Sequence, residues 1–193
     1  MKSALRSLGL ALLILALLTG GLLLAYAQWT RVASDADAAL SEGQLDRALA
    51  GYAASEGRFD RWPVTKQLFA ADYYRVVANQ LWVLYRLGRY NETIDKAEQA
   101  PEGPMPHFWS GCAFFRKALG ETKPEARLGW LSRAEDELRR AVEATPNDWD
   151  TKVDFELAAR LAAELRKQPR TPPAQLMELL RPPPPAKAAR RVG

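Results

Sequence analysis

Hydrophobic and polar positions divide this chain into three unlike stretches. Residues 8–26 (LGLALLILALLTGGLLLAY) are almost wholly apolar, and no charge lies between Arg6 and Arg31. From Ala33 to about Lys167, apolar residues return every three or four positions among alanine, leucine, glutamate and arginine, the period of amphipathic helices. Beyond Gln168 prolines take over. No sustained two-residue alternation and no Asn-Gly or Asp-Gly pair marks a strand or hairpin, so the expected fold is all-α. The pattern predicts helices over 33–42, 45–55, 64–87, 90–99, 107–119, 124–144 and 148–167. Breaks are expected at Gly43, Gly57, Gly88, the segment 101–106 (PEGPMP), Gly120 and Pro146.

The apolar stretch decides where the rest of the chain works. As a helix, residues 8–27 rise roughly 30 Å, about the thickness of the hydrocarbon core of a bilayer. Lys2 and Arg6 precede it, and Arg31 is soon followed by Asp35 and Asp37, a bias that keeps residues 1–7 cytoplasmic and sends the remainder across the membrane. Ala25-Tyr26-Ala27 has the small-x-small form of a signal-peptidase site, and Gly20-Gly21 sits where a signal-peptide helix would end, so cleavage competes with retention. The apolar run exceeds the roughly 7–15 residues of a signal-peptide core, and Trp29 stands where an interfacial aromatic belongs. A retained single-pass anchor is the favoured reading. In a Gram-negative host, the inner membrane would hold it and the C-terminal part would be periplasmic.

The chain has 193 residues, leaving enough after the anchor for one soluble module of helical repeats. Its net charge of +4 is matched by Arg181, Lys187, Arg190 and Arg191 in an acid-free end, so no basic face for nucleic acid is implied. Cys112 and His107 are the single cysteine and histidine, which rules out an intramolecular disulfide and an ordinary Cys/His metal site. Cys112 reads as a small buried side chain. The acidic groups Asp35/Asp37, Glu135/Asp136/Glu137 and Asp148/Asp150 lack the alternating ligands and central glycine of a calcium loop, so neither a metal site nor a cofactor is expected.

A repeat emerges within the helical stretch. Gly43-x-Leu45-x-x-Ala48-x-x-x-Tyr52 is matched by Gly88-x-Tyr90-x-x-Thr93-x-x-x-Ala97 and by Gly129-x-Leu131-x-x-Ala134-x-x-x-Leu138-x-x-Ala141, with Pro146 five residues on. The units are 45 and 41 residues apart. Glycine suits a tight turn, alanine lets two helices approach, and the large residue four positions later fills the gap between neighbours, as in stacked helical hairpins. An irregular helical bundle would share single instances of this pattern; three with one offset favour repeats.

On these residues the chain resembles the tetratricopeptide repeat family, most closely over 129–146 (GWLSRAEDELRRAVEATP). The spacings exceed that family's period of about 34 residues, which calls for insertions such as GRFDRWPVTK. The resemblance implies a stack of antiparallel hairpins over 33–168, closed by a C-terminal capping helix. Gly43, Ala48, Gly88, Gly129, Ala134, Ala141 and Pro146 are its packing positions.

In the second unit, Tyr74, Val77, Leu81, Leu84 and Gly88 form a packing stripe. Arg75, Asn79, Trp82 and Arg86 form another, and by resemblance this second stripe, with Ala78 and Tyr85, lines a groove for partner peptides. The chemistry suits that role: arginine clamps a carboxylate, asparagine pairs with a peptide backbone, and tryptophan supplies an anchor. The competing reading buries Trp82 and Tyr85 against a neighbouring hairpin and leaves the arginines solvated.

In the run 146–165, Asn147 or Asp148 can cap a helix in which Val153, Leu157, Leu161 and Leu165 recur every four residues. Within it, Asp150-Thr151-Lys152-Val153-Asp154-Phe155-Glu156-Leu157-Ala158 resembles the D-x-K-x-N-x-E-L-A motif of membrane-anchored tetratricopeptide proteins encoded beside MoxR-type ATPases and von Willebrand A-domain proteins. Asp154 stands where that motif has asparagine. The overall layout is most similar to the MxaK-type accessory family of methanol dehydrogenase clusters. That resemblance implies help in maturing a periplasmic calcium-dependent quinoprotein dehydrogenase, through A-domain membrane partners.

Residues 169–193 form a proline-rich basic tail in which Pro182 to Pro185 favour polyproline II, with a short helical candidate at 174–180. No phosphate loop, Gly-x-Ser-x-Gly elbow or metalloprotease helix appears. The expectation is a non-catalytic, membrane-anchored adaptor. A cell-wall-associated enzyme or structural envelope component is the alternative, and turnover of peptidoglycan fragments would favour it.

Overall fold

The computed structural model describes residues 2–167, with side chains from residue 12 onward. Among the described residues there are eight helices and no strand: α1 (Lys2–Ser41), α2 (Leu45–Arg61), α3 (Val64–Leu68), α4 (Ala70–Arg86), α5 (Tyr90–Glu98), α6 (Pro104–Gly120), α7 (Pro124–Ala144) and α8 (Trp149–Lys167). The second half of α1 pairs with α2, α4 with α5, and α6 with α7; α8 packs on α7 and closes the stack. Residues 168–193, on which the polyproline and short-helix expectations fall, lie outside the described residues.

α1 corrects the expectation of an anchor separated from the first repeat helix. It runs unbroken for 40 residues, through Gly20-Gly21 and through the residues 28–32 expected to part the two. Nothing in that joint removes a backbone donor or demands a turn, and the Thr30 hydroxyl donates back to the Tyr26 carbonyl at 3.1 Å. α1 thus contains a segment long and apolar enough to cross a membrane and, without a break, the first helix of the repeat domain.

Two turns follow the expected chemistry. Gly43 and Gly88 have φ of 75° and 73°, the left-handed region that a Cβ disfavours. The amide of Gln44 donates to the Ala39 carbonyl at 2.9 Å, and that of Arg89 to Leu84 at 3.0 Å, closing α1 and α4 with the six-to-one bond of a Schellman motif.

The third unit is built differently. Gly129 lies inside α7, exposed, with nothing within 4 Å of the place its Cβ would occupy. The turn that it was expected to make falls at residues 121–123, because Pro124 is well placed to start a helix and α7 then runs for 21 residues. Other boundaries also shift. α2 continues through Gly57 and stops before Pro63; the expected helix 64–87 divides at Phe69 into α3 and α4; and α6 begins at Pro104 rather than at residue 107.

Small residues set the spacing between helices. Ala33, Ala36 and Ala39 of α1 are buried with Ala48, Tyr52 and Phe59 of α2. A Cβ on Gly51 would stand 2.7 Å from that of Ala36, and one on Gly111 of α6 would stand 2.7 Å from Cγ of Leu138 on α7. Ala134, Ala141 and Thr93 are fully buried, as are Val77 and Leu81 of the predicted packing stripe. Pro146 is exposed and stands in the turn before α8. There Asp148 performs the capping role, accepting from the Asp150 amide at 3.2 Å and the Thr151 hydroxyl at 2.6 Å. The hydroxyl bond holds its carboxyl below the usual range.

α8 packs through a different stripe from the one expected. Thr151, Ala158 and Ala162 are buried and Phe155 packs on the buried side chains of α6 and α7, while Val153 and Leu157 remain exposed. Alanine rather than leucine meets α7 because the two helices approach closely; Leu161 and Leu165 remain at the edge of the contact.

The link between α5 and α6 is tied by charge. His107 is held between two carboxylates, Nδ1 at 2.7 Å from Glu137 of α7 and Nε2 at 2.8 Å from Glu102. Burial opposes the ring's charge, but hydrogen bonds and charge from Glu102 and Glu137 outweigh it and raise the pKa above the ordinary 6.5. The charged ring is therefore favoured by folding. Its contribution is complete below pH 6.5 and is lost as pH rises through the raised folded value. Thermal unfolding followed by circular dichroism should show stability falling across that interval, and His107→Gln should flatten the change. The same measurement checks the two helix glycines. Gly111→Ala should destabilise by about 1–3 kcal/mol through overpacking, whereas Gly129→Ala should stabilise by about 0.5–1 kcal/mol, as expected for an exposed mid-helix glycine.

Candidate partner-binding face

The first helices of successive hairpins, the second half of α1, then α4 and α6, lie along one side of the stack with α8 beyond them. α4 sits centrally: its Val76, Val77, Leu81, Val83 and Leu84 are buried against neighbours on both sides. That leaves the stripe of Arg75, Asn79, Trp82 and Arg86 along the inner side, one helical turn apart.

Half of this stripe is engaged within the protein. Arg75 forms an ion pair with Asp37 of α1 and lies 3.6 Å from Asp72. Asp37 also accepts from the Tyr52 hydroxyl at 2.6 Å, and Asn79 donates to Tyr52 at 3.0 Å and to Asp37 at 3.3 Å. Tyr52 is fully buried. Burial, then the hydrogen bond to Asp37, pushes its phenol well above the ordinary range, so the hydroxyl stays a donor. Sequence reading assigned Arg75 and Asn79 to a ligand; the structure gives them Asp37 and Tyr52, which fasten α4 to the first hairpin.

The other half is open. Trp82 is half-buried against the first core, and the Arg86 guanidinium lies over its ring at 5.2 Å from the centroid. Ala78 is buried. Tyr85 packs against Tyr90 and Trp109, with ring centroids 5.7 and 5.3 Å away, and presents its hydroxyl to Arg116 of α6 at 3.0 Å. Among the described residues neither Arg86 nor Arg116 makes an ion pair.

Beyond Arg116 the face sinks into a cavity of about 230 Å³ bounded by Tyr85, Cys112, Phe115, Arg116, Asp154 and Leu157, with Leu138 at its floor. The Cys112 thiol donates to Asp154 at 3.8 Å. Burial, then the nearby Asp154 charge, pushes that thiol far above its ordinary value, so it is no nucleophile. Burial also raises the Asp154 carboxyl, offset in part by the thiol and reinforced by Asp150 and Asp148. The residue in the motif's asparagine position therefore faces the inner side of the stack.

No local signal marks Arg116, Phe115 or Cys112 as lining this face, because the repeat pattern of the third unit falls on α7, whereas these residues lie on α6. Gly111, which touches Leu138, was the better marker of that unit's first helix.

No protein-family model and no curated protein sequence matches the chain. Among solved structures it is similar to the first TPR domain of Spaghetti (RPAP3) bound to the HSP90 peptide SRMEEVD, at 15% identity and a TM-score of 0.53 over 70% of this chain and 93% of that one. It is also similar to the NMR structure of the first TPR domain of human RPAP3, at 14% identity and a TM-score of 0.53 over 74% and 98%. These likenesses show a tetratricopeptide-like fold.

The Asp37 network should matter to stability rather than to binding. Asp37→Ala removes the acceptor shared by Arg75, Asn79 and the buried Tyr52 hydroxyl and should cost about 1–3 kcal/mol in urea unfolding. An unchanged midpoint would remove Asp37 from this role.

Proposed function

We propose that this chain is a membrane-tethered helical-repeat adaptor. Its inner face, from Trp82 and Arg86 to Arg116, binds an extended segment of a protein partner during assembly or maturation of an envelope complex. The observation that carries this reading is the open row of one indole, one phenol and two guanidiniums across α4 and α6, next to a cavity. Arginines held against aromatic rings are partly ordered before a carboxylate arrives, which lowers the entropy of clamping it. Support also comes from the Spaghetti domain, a similar fold whose solved structure holds the acidic peptide SRMEEVD. Recognition, not bond-making, is the role of this face.

The tether is α1, read as a retained inner-membrane anchor with the repeat domain in the periplasm. The bias of Lys2 and Arg6 supports that orientation. The client is a periplasmic quinoprotein methanol dehydrogenase, reached through von Willebrand A-domain membrane proteins. The support for the A-domain partners is the resemblance of the run from Asp150 to Ala158, and for the dehydrogenase client that of the overall layout with residues 129–165.

Mild crosslinking followed by purification of the full chain should recover a specific protein partner. Trp82→Ala with Arg116→Ala should weaken that recovery by roughly thirtyfold, the loss expected when contacts worth about 2 kcal/mol disappear. Helical circular dichroism of the double variant should be unchanged. Recovery equal to wild type would remove the inner face from partner binding.

A further inference from the structure

The corner joining α2 to α4 exposes large apolar side chains where a water-soluble repeat would place polar ones. Trp62 is 59% exposed, Val64 60% and Leu68 69%. Single exposed apolar residues are ordinary; three within seven positions, beside a second apolar surface, form a patch with a use.

The second surface is the end of the apolar run in α1. Phe69, which closes α3, stands 5.4 Å from the Tyr26 ring and 6.4 Å from Trp29, centroid to centroid. With Leu22, Leu23 and Ala25 these rings line an open cavity of about 340 Å³. On the adjoining side, Arg61 and Trp62 border a second cavity of about 310 Å³ with Ala25, Gln28 and Trp29. Arg58 donates to the Trp29 carbonyl at 3.2 Å. The corner therefore stands level with residues 22–29 of α1, where a helix spanning 8–27 leaves the hydrocarbon. Tryptophan and arginine favour that depth, the ring at the headgroups and the guanidinium at phosphate. Lys66 contributes little charge, since Asp60 neutralises it at 2.6 Å.

We propose that this corner is a second membrane contact: Trp62, Val64 and Leu68 enter the boundary of the bilayer that holds α1, with Arg58 and Arg61 at anionic headgroups. The proposal rests on reading α1 as a retained anchor. One helix fixes where the repeat domain is tethered but leaves it free to rotate about the helix axis. A second contact removes that freedom and presents the inner face in one orientation.

Nitroxide labels on the full chain, carrying Cys112→Ser and reconstituted alone into phosphatidylglycerol–phosphatidylcholine vesicles, test this. Leu23→Cys reports the span, Glu143→Cys the water phase, and Leu68→Cys the corner, with Val64→Cys as a second corner site. The ratio of oxygen to nickel-chelate accessibility at Leu68 and Val64 should lie several-fold above that at Glu143 and near that at Leu23. In phosphatidylcholine alone the corner ratio should fall toward water; no fall would overturn the assignment of Arg58 and Arg61. A water-like ratio at both corner sites with a lipid-like Leu23 rejects the second contact and leaves the anchor standing. A water-like Leu23 rejects the anchor, and the corner contact with it. Shielding of the corner labels from both reagents would make a second copy of the chain the occupant and overturn the lipid assignment.

Discussion

Continuity of α1 is the constraint on which the rest of the structure depends. A helix that runs from an apolar stretch into a packed domain without a flexible joint transmits its direction to everything docked on it. Ala33, Ala36 and Ala39 continue the same helix that carries Leu22 and Trp29, so the first repeat is in register with the apolar run by construction. The aromatic cluster of Trp29, Phe59, Phe69 and Tyr73 then braces the joint, with Trp29 edge-on to Phe59 at 5.7 Å and Phe59 tilted against Tyr73 at 5.3 Å. Aromatic contacts of this kind add to the area they bury and resist bending where no turn absorbs it.

Asp37 lies on the same helix and extends that order into the second hairpin. A partly buried carboxylate needs donors, and Arg75, Asn79 and Tyr52 supply them from α4 and α2. Two side chains suited to a ligand are thereby occupied inside the protein. The face consequently divides. Near α1 its polar groups hold helices together, and near α6 they stay available. This division follows from charge pairing, since a guanidinium already matched to a carboxylate gains little from a second.

How much of this could be read from the sequence depended on whether a residue's role is local. Gly43 and Gly88 were legible because a left-handed turn needs glycine whatever surrounds it. Ala48 with Tyr52, and Ala134 with Leu138, were legible because a small residue followed by a large one four positions on is local to one helix. Gly129 misled for the same reason: its offset to Leu131 and Ala134 matches a turn glycine, yet no αL closure is needed there, and Pro124 had already begun the helix. The pairing of Arg75 with Asp37 spans 38 residues and leaves no local trace. The exposure of Val153 and Leu157 was equally hidden, since periodicity marks a stripe of large residues but not the close approach that selects alanine.

The open half of the inner face also carries a direction. Arg86 and Arg116 place fixed positive charge along α4 and α6, whereas at the α8 end Asp154 is drawn away from its ordinary ionisation by burial and shares its cavity with a protonated thiol. On the proposed reading, a partner segment lying across these helices would meet cations first and then Asp154. Acidic side chains at one end and amide or hydroxyl groups at the other would satisfy both, while the reversed segment would take its carboxylates away from Arg86. The charge along α4 and α6 would thus set the polarity of a bound segment as well as its affinity.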